Sequence, residues 1–180
     1  GVLASLTPLA VVFGAVVLFR TLRASGAMAV LTARLSRALP DPVMRTLLIA
    51  WSFSYLVEGL SGFGTPAALA APILVGLGFG PVRAAAACLI MNTVPVVFGA
   101  VGMPVWYGLG ELGLSDGALL GVGQRAAWLQ LAIAPVVVAL GLRVLFGWRE
   151  MGRRWWRVLG VVGVSVGTSS GTAAWSMEFP

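Results

Sequence analysis

The 180-residue chain is 59% hydrophobic and only 10% charged, with a mean hydropathy of +0.97. Because a soluble domain carries about a quarter charged residues, this composition predicts an integral membrane protein. The net charge of +6 comes from arginines that lie between apolar stretches, which indicates membrane topology rather than nucleic-acid binding. With no histidine and a single cysteine, Cys88, the sequence excludes a histidine base, a disulfide framework and a zinc cluster.

The apolar segments predict an all-α integral membrane protein with multi-spanning helices and a re-entrant or broken-helix hairpin. About 20 apolar residues span a bilayer core of about 30 Å. The predicted spans are 2–20, 43–60, 66–80, 84–106, 118–142 and 158–175, within a single membrane domain. Residues 24–39 have leucines at helical spacing interrupted by arginines, which predicts a helix at the membrane interface or, alternatively, a core-packed helix end.

Two arginine-rich stretches determine the predicted orientation. Residues 20–45 and 143–157 each carry five arginines against one acidic residue, so both are expected on the cytoplasmic side and 108–117 outside. Segment 43–107 must then contain either three short crossings, or a hairpin with its tip near residue 62 followed by one broken crossing. The return arm 66–80 is roughly 22 Å long at about 1.5 Å per residue, which favours the hairpin.

The first break is the stretch from Glu58 to Pro66, which places glycines, hydroxyls and a carboxylate inside an apolar sequence. Such a break is tolerated at membrane depth only where it is buried in protein or lines a cavity. Thr65 followed by Pro66 predicts a helix N-cap and first helical position, so a half-helix N-terminus would face the tip and bind an anion. The candidate substrate-binding residues here are Ser61, Gly62, Gly64 and Thr65; the alternative is a proline-kinked helix pair without a ligand.

Glu58 is the candidate proton-coupling residue. A carboxylate in a membrane segment costs a few kcal/mol or more unless it is paired, hydrated or protonated. Glu58 is therefore expected to couple protons or to hold the tip as a polar latch. The alternative is a protonated glutamic acid that is hydrogen-bonded to a neighbouring helix.

The second break begins at Asn92-Thr-Val-Pro95. Proline at 95 removes a backbone donor and frees a carbonyl one turn earlier. Asn92 and Thr93 either satisfy this carbonyl or coordinate a substrate's hydroxyl and carboxylate, so both are candidate substrate-binding residues. We expect the two breaks to meet in the middle of the membrane.

Ser61 also suggests an intramembrane hydrolase, because Gly59-Leu-Ser-Gly62 looks like the serine motif of rhomboid proteases. In those enzymes the serine is paired with histidine. The chain contains no histidine, so this dyad cannot form within it.

The block from Glu58 to Gly102 resembles the L-lactate permease family of bacterial transporters. The resemblance rests on Glu58-Gly-Leu-Ser-Gly-Phe-Gly-Thr-Pro-Ala-Ala-Leu-Ala-Ala-Pro72, Leu77-Gly-Phe79, Asn92, Pro95 and Phe98-Gly-Ala-Val-Gly102. It covers about residues 1–145 and fades after Arg157. It implies proton-coupled uptake of lactate, glycolate and related 2-hydroxy acids across the bacterial cytoplasmic membrane. Met103 departs from the family, because members often carry threonine there.

The leading hypothesis is that the chain is a multi-pass fragment of a monocarboxylate permease and not an enzyme. Its expected partners are lactate or glycolate, a proton, the lipid bilayer and the remainder of the same permease, with no nucleic acid, cofactor or metal. Family members are much longer, so a second part of the substrate site is expected outside this chain. The alternative from another class is a membrane scaffold or subunit that does not transport.

Overall fold

The computed structural model describes residues 2–62, 64–110, 112–147, 152 and 154–173, and all regular structure in these ranges is helical. The all-α fold predicted from the sequence is therefore confirmed. A π-helical turn covers Leu48–Phe53, and a 3-10 turn covers Pro95–Phe98. The helices are α1 (Val2–Ala24), α2 (Ala27–Ala38), α3 (Pro42–Leu47), α4 (Ser54–Ser61), α5 (Thr65–Gly76), α6 (Pro81–Asn92), α7 (Gly99–Gly110), α8 (Asp116–Phe146) and α9 (Trp155–Ala173).

Within the described ranges, two helical stretches are long and apolar enough to cross a membrane. They are Pro42–Ser61, with 20 residues, and Asp116–Phe146, with 31. The end of α1 and the start of α2 form a pair bent by 82°, which would make a third span if the pair is one broken segment. Gly26, with φ +74°, lies at this bend, and only glycine adopts such a backbone readily. The bend separates the predicted span 2–20 from the predicted interfacial helix 24–39.

The short helices α5 and α6 determine how segment 43–107 is arranged. Each has 12 residues, which is about 18 Å at about 1.5 Å per residue and well below the bilayer core of about 30 Å. These lengths favour the hairpin over three full crossings. The turn after α5 packs on the end of α8, where Phe79 and Phe146 make an edge-to-face contact with ring centroids 5.2 Å apart.

The core is built around α6, which packs between α5 and α8, while α9 packs along α8. The close approach of α6 and α8 depends on Gly141, because a Cβ built there would lie 2.7 Å from Cγ of Met91. Small residues at helix contacts are typical of membrane proteins, where they let backbones approach closely. The most deeply buried core side chains include Leu47, Ile49, Trp51, Leu74, Cys88, Met91, Val138, Leu142, Val158, Val162 and Val166.

The described parts of the two arginine-rich stretches are joined by one ion pair. Arg154 Nε donates to Asp41 Oδ2 at 2.6 Å, which links the start of α3 to the residue before α9. Asp41 also caps α3, because its Oδ1 accepts from the N–H of Val43 at 3.0 Å. This contact agrees with the expectation that 20–45 and 143–157 face the same side of the membrane. Four charged residues of 108–117 and 143–157 lie outside the described residues: Glu111, Arg149, Glu150 and Arg153.

Candidate functional site

Two glycines form the tip of the hairpin between α4 and α5. The N–H of Gly62 ends α4 by donating to the Glu58 carbonyl at 2.9 Å. Gly62 has φ +62° and Gly64 has φ +73°, in the region that residues with a side chain rarely adopt. The sequence therefore needs glycine at both positions to reverse the chain here.

The start of α5 differs by one residue from the sequence prediction. Gly64 is the N-cap, and Thr65 is the first residue of the helix, with Pro66 second. The prediction that Thr65 caps the helix was wrong because the left-handed turn of Gly64 starts the helix earlier. The N–H of Thr65 donates to the Gly62 carbonyl at 3.2 Å, and Pro66 has no N–H. This helix end consequently offers an anion fewer open donors than the sequence suggested.

Glu58 lies behind this tip with its side chain enclosed. The residue is only 1% exposed, and its Oε2 is buried without a hydrogen-bond partner. The side chain of Asn92 and the backbone N–H of Gly64 face its carboxyl group. Glu58 thus joins α4, the tip and the end of α6 in one polar cluster.

The two breaks meet at the junction between α6 and α7. A Cβ built on Gly62 would lie 2.9 Å from Ala100 Cβ, and one built on Gly99 would lie 3.4 Å from Gly62 Cα. Ala100 itself has φ +49°, a strained conformation for a residue other than glycine. Such strain persists only where the surrounding structure enforces it, and here the tip of the hairpin packs directly against it.

The predicted site residues divide into two groups. Glu58, Gly62, Gly64 and Asn92 lie together, and Asn92 is 7% exposed with its Oδ1 buried and without a partner. The hydroxyls of the second group donate within their own helices: Ser61 to the Val57 carbonyl at 2.8 Å, and Thr93, which is exposed, to that of Ile90 at 2.7 Å. Thr65 belongs to neither group. It is half-buried and directly follows Gly64 in the chain.

Several residues at this site were not predicted from the sequence. Gly99 and Ala100 form the second wall of the contact, and Gln130 on α8 donates from Nε2 to the carbonyl of Val94 at 2.6 Å. The sequence signals were weak: an extra glycine beside the second break, and an isolated polar residue inside an apolar helix. Both signals also occur at positions that only pack helices.

A separate cavity of about 490 Å³ lies between the bend of α1 and α2 and one face of α5. Its lining is mostly apolar and includes Arg23, Met28, Leu69 and Pro72, with none of the residues of the polar cluster around Glu58. The described residues contain no group of three or more histidine, cysteine, aspartate or glutamate side chains that could hold a metal ion. The chemistry at the breaks is therefore carried by one carboxyl group, one amide and backbone groups.

These features define a class: a polytopic helical membrane protein whose chain breaks pack together in its interior. The family model described as L-lactate permease matches residues 1–178, and the chain belongs to this family. The resemblance predicted from the sequence is thereby confirmed. The match also includes α9, although the resemblance judged from motifs fades after Arg157. Permeases move solutes rather than transform them, in agreement with the prediction that the chain is not an enzyme.

Similar proteins are found in several bacteria. The chain is 45% identical over 150 residues to a Haemophilus influenzae protein provisionally named an L-lactate permease, covering 83% of this chain and 28% of the relative. It is 36% identical to the glycolate permease GlcA of Escherichia coli K12, over 86% of this chain and 27% of the relative. It is 32% identical to the L-lactate permease of the same strain, over 81% of this chain and 26% of the relative.

The chain spans about a quarter of the length of these relatives, between 26% and 28%. No solved structure matches the chain significantly.

Proposed function

We propose that the protein to which this chain belongs takes up lactate, glycolate or related 2-hydroxy monocarboxylates across the bacterial cytoplasmic membrane, coupled to protons. The family and the names of its relatives support the substrate class. The single observation that carries the proposal is the buried Glu58–Asn92 pair, in which Oε2 and Oδ1 both lack a partner. A buried polar atom without a partner costs about 1–3 kcal/mol, so two such atoms in one polar cluster call for a functional explanation.

The two unpaired oxygens match the groups of a 2-hydroxy acid. An ionised carboxylate only accepts hydrogen bonds, whereas a protonated one also donates. When Glu58 carries a proton, its Oε2 can donate to the carboxylate of the substrate. Oδ1 of Asn92 accepts from the 2-hydroxyl of the same molecule. Proton and substrate then occupy one site, and neither is held as well without the other.

The position of the pair explains how occupancy could be linked to movement. Glu58 is on α4, Asn92 ends α6, and the N–H of Gly64 belongs to the tip between α4 and α5. A change in the protonation or in the hydrogen-bond partner of Glu58 therefore alters the contacts between the arms of the hairpin and the second break. Transporters commonly place such discontinuous helices at the substrate site, with the remaining groups supplied by another repeat. We propose that the rest of the permease completes the site.

Uptake of radiolabelled lactate by the full-length protein in proteoliposomes tests this function. We expect accumulation under a pH gradient that is alkaline inside, in sodium-free buffer, and its loss when a protonophore collapses the gradient. Accumulation driven only by sodium would contradict proton coupling. A failure to take up any 2-hydroxy acid would contradict the whole proposal and favour a membrane scaffold that does not transport.

A further inference from the structure

A buried glutamine outside both breaks contacts the second break directly. Gln130 lies within α8 and is 6% exposed. Its Nε2 donates to the carbonyl of Val94 at 2.6 Å, between the end of α6 and the 3-10 turn. The helical ladder of backbone bonds is interrupted at this point, so the side chain of α8 supplies a donor to a buried carbonyl. An unsatisfied carbonyl there would be costly.

The same glutamine is linked to the arm that carries Glu58. Gln130 Oε1 lies 3.4 Å from Tyr55 Oη, and Tyr55 Oη lies 2.7 Å from Ser169 Oγ on α9. Tyr55 precedes Glu58 by three residues on α4, a spacing that places both on one side of the helix. Tyr55 is also held by its ring, which packs on Trp51 with centroids 5.3 Å apart. Tyr55 of α4 and Ser169 of α9 are therefore linked through Gln130 to Val94, two residues after Asn92.

We propose that Gln130 is a positioning residue for the substrate site. Its Nε2 holds the carbonyl of Val94, and its Oε1 lies beside the hydroxyl of Tyr55. Gln130 thereby fixes the end of α6 relative to α4, the helix that carries Glu58. The distance between Asn92 and Glu58 then depends on α8 rather than on the breaks alone. This inference rests on the proposed transport function for its effect on uptake, but its effect on the break is independent of transport.

The structure offers a matched pair of variants for the network. Ser165 and Ser169 lie one turn apart on α9, and each hydroxyl donates to a carbonyl of its own helix, Val161 at 2.9 Å and Val166 at 2.9 Å. Only Ser169 also contacts Tyr55. Ser169→Ala therefore removes a link to the site, whereas Ser165→Ala removes a similar local bond and serves as the control.

The test measures lactate uptake kinetics and amide hydrogen exchange in the full-length protein. Gln130→Leu keeps the size of the side chain but removes the donor to Val94. We expect the KM for lactate to rise at least about fivefold, and amide exchange in residues 93–99 to accelerate by a similar factor, because a buried carbonyl loses its partner. Tyr55→Phe and Ser169→Ala should raise KM less, and Ser165→Ala should leave both measurements unchanged.

Unchanged exchange at 93–99 in Gln130→Leu would overturn the proposal, as would a KM equal to that of the wild type. A fall in uptake that merely follows the amount of folded protein, with KM unchanged, would also overturn it, because it would show a structural role only. If Gln130→Leu fails to fold, Tyr55→Phe must alter KM for the proposal to stand. Faster exchange in a protein that takes up no 2-hydroxy acid would contradict the transport function and leave the positioning role supported.

Discussion

A methyl group placed on Gly99 would lie 2.8 Å from Oε1 of Glu58. A Cβ contact below about 3 Å forces a neighbour to move, and the side chain of Glu58 is buried next to Asn92 and the N–H of Gly64. The absence of a side chain at Gly99 is therefore what allows the carboxyl group to lie between the two breaks.

Gly99→Ala should reduce lactate uptake by about tenfold or more, because the carboxyl group must leave its contacts with Asn92 and Gly64. Initial uptake rates, normalised to the amount of protein in the membrane, measure the effect. Gly108→Ala is the matched control on α7, since a Cβ there meets nothing within 4 Å. Wild-type uptake by Gly99→Ala would show that the position of the carboxyl group is not required.

Asn92→Leu should weaken the preference for lactate over propionate, which lacks the 2-hydroxyl group. In the wild type, Oδ1 of Asn92 accepts from that hydroxyl, and one buried hydrogen bond corresponds to a preference of about tenfold or more. Competition of each acid against labelled lactate gives the ratio of affinities. The variant should bind both acids with similar affinity; an unchanged ratio would mean that another group recognises the hydroxyl.

Asp41 and Arg154 should stabilise the bundle in a manner that depends on pH. Partial burial raises the pKa of Asp41, but the hydrogen bonds from Arg154, Val43 and Met44, together with the charge of Arg154, outweigh it and hold the pKa below its ordinary value of 3.8. Because the folded-state pKa is the lower one, the stabilisation is complete above the unfolded-state pKa. It is lost as the pH falls through the folded-state pKa.

Asp41→Asn should lower the free energy of unfolding by about 0.5–1 kcal/mol at neutral pH, the range for a partly exposed ion pair. Asp41→Ala should lower it by about 1 kcal/mol more, because it also removes the cap on Val43. Thermal unfolding in detergent between pH 3 and 7 measures both. The difference between the wild type and Asp41→Asn should shrink as the pH falls below 3.8. A difference that is constant with pH would exclude the ion pair as its cause.

The fold follows from local features of the sequence. Composition is sufficient to identify apolar helices, and glycine and proline mark where they are interrupted, as at Gly62, Gly64 and Pro95. Pro81 likewise lies at the start of α6. The first residue of a helix is harder to predict from sequence. Thr65 followed by Pro66 has the pattern of an N-cap, but the N-cap of α5 is Gly64, which has a left-handed backbone.

The site is only partly encoded in such patterns. Glu58 and Asn92 are conspicuous because they are polar residues in apolar segments. Their partners are distant in the chain, with Gln130 and Val94 separated by 36 residues and Tyr55 and Ser169 by 114. No periodicity indicates which helices pack side by side, so these contacts become visible only once the helices are placed. The role of Gly99 is hidden for the same reason, since a glycine's close contacts depend on its neighbours in space.

We propose that Glu58 couples proton movement to substrate movement, and Glu58→Gln removes the titratable carboxyl group that this role requires. Glutamine keeps the shape of the protonated side chain but cannot release a proton. In proteoliposomes of the full-length permease, we expect gradient-driven accumulation of lactate to fall about tenfold or more. Exchange of external for internal lactate without a gradient should continue, and Asp116→Asn, which alters an exposed carboxylate at the start of α8, should accumulate lactate normally. Accumulation by Glu58→Gln with the pH dependence of the wild type would show that Glu58 does not couple protons to lactate uptake.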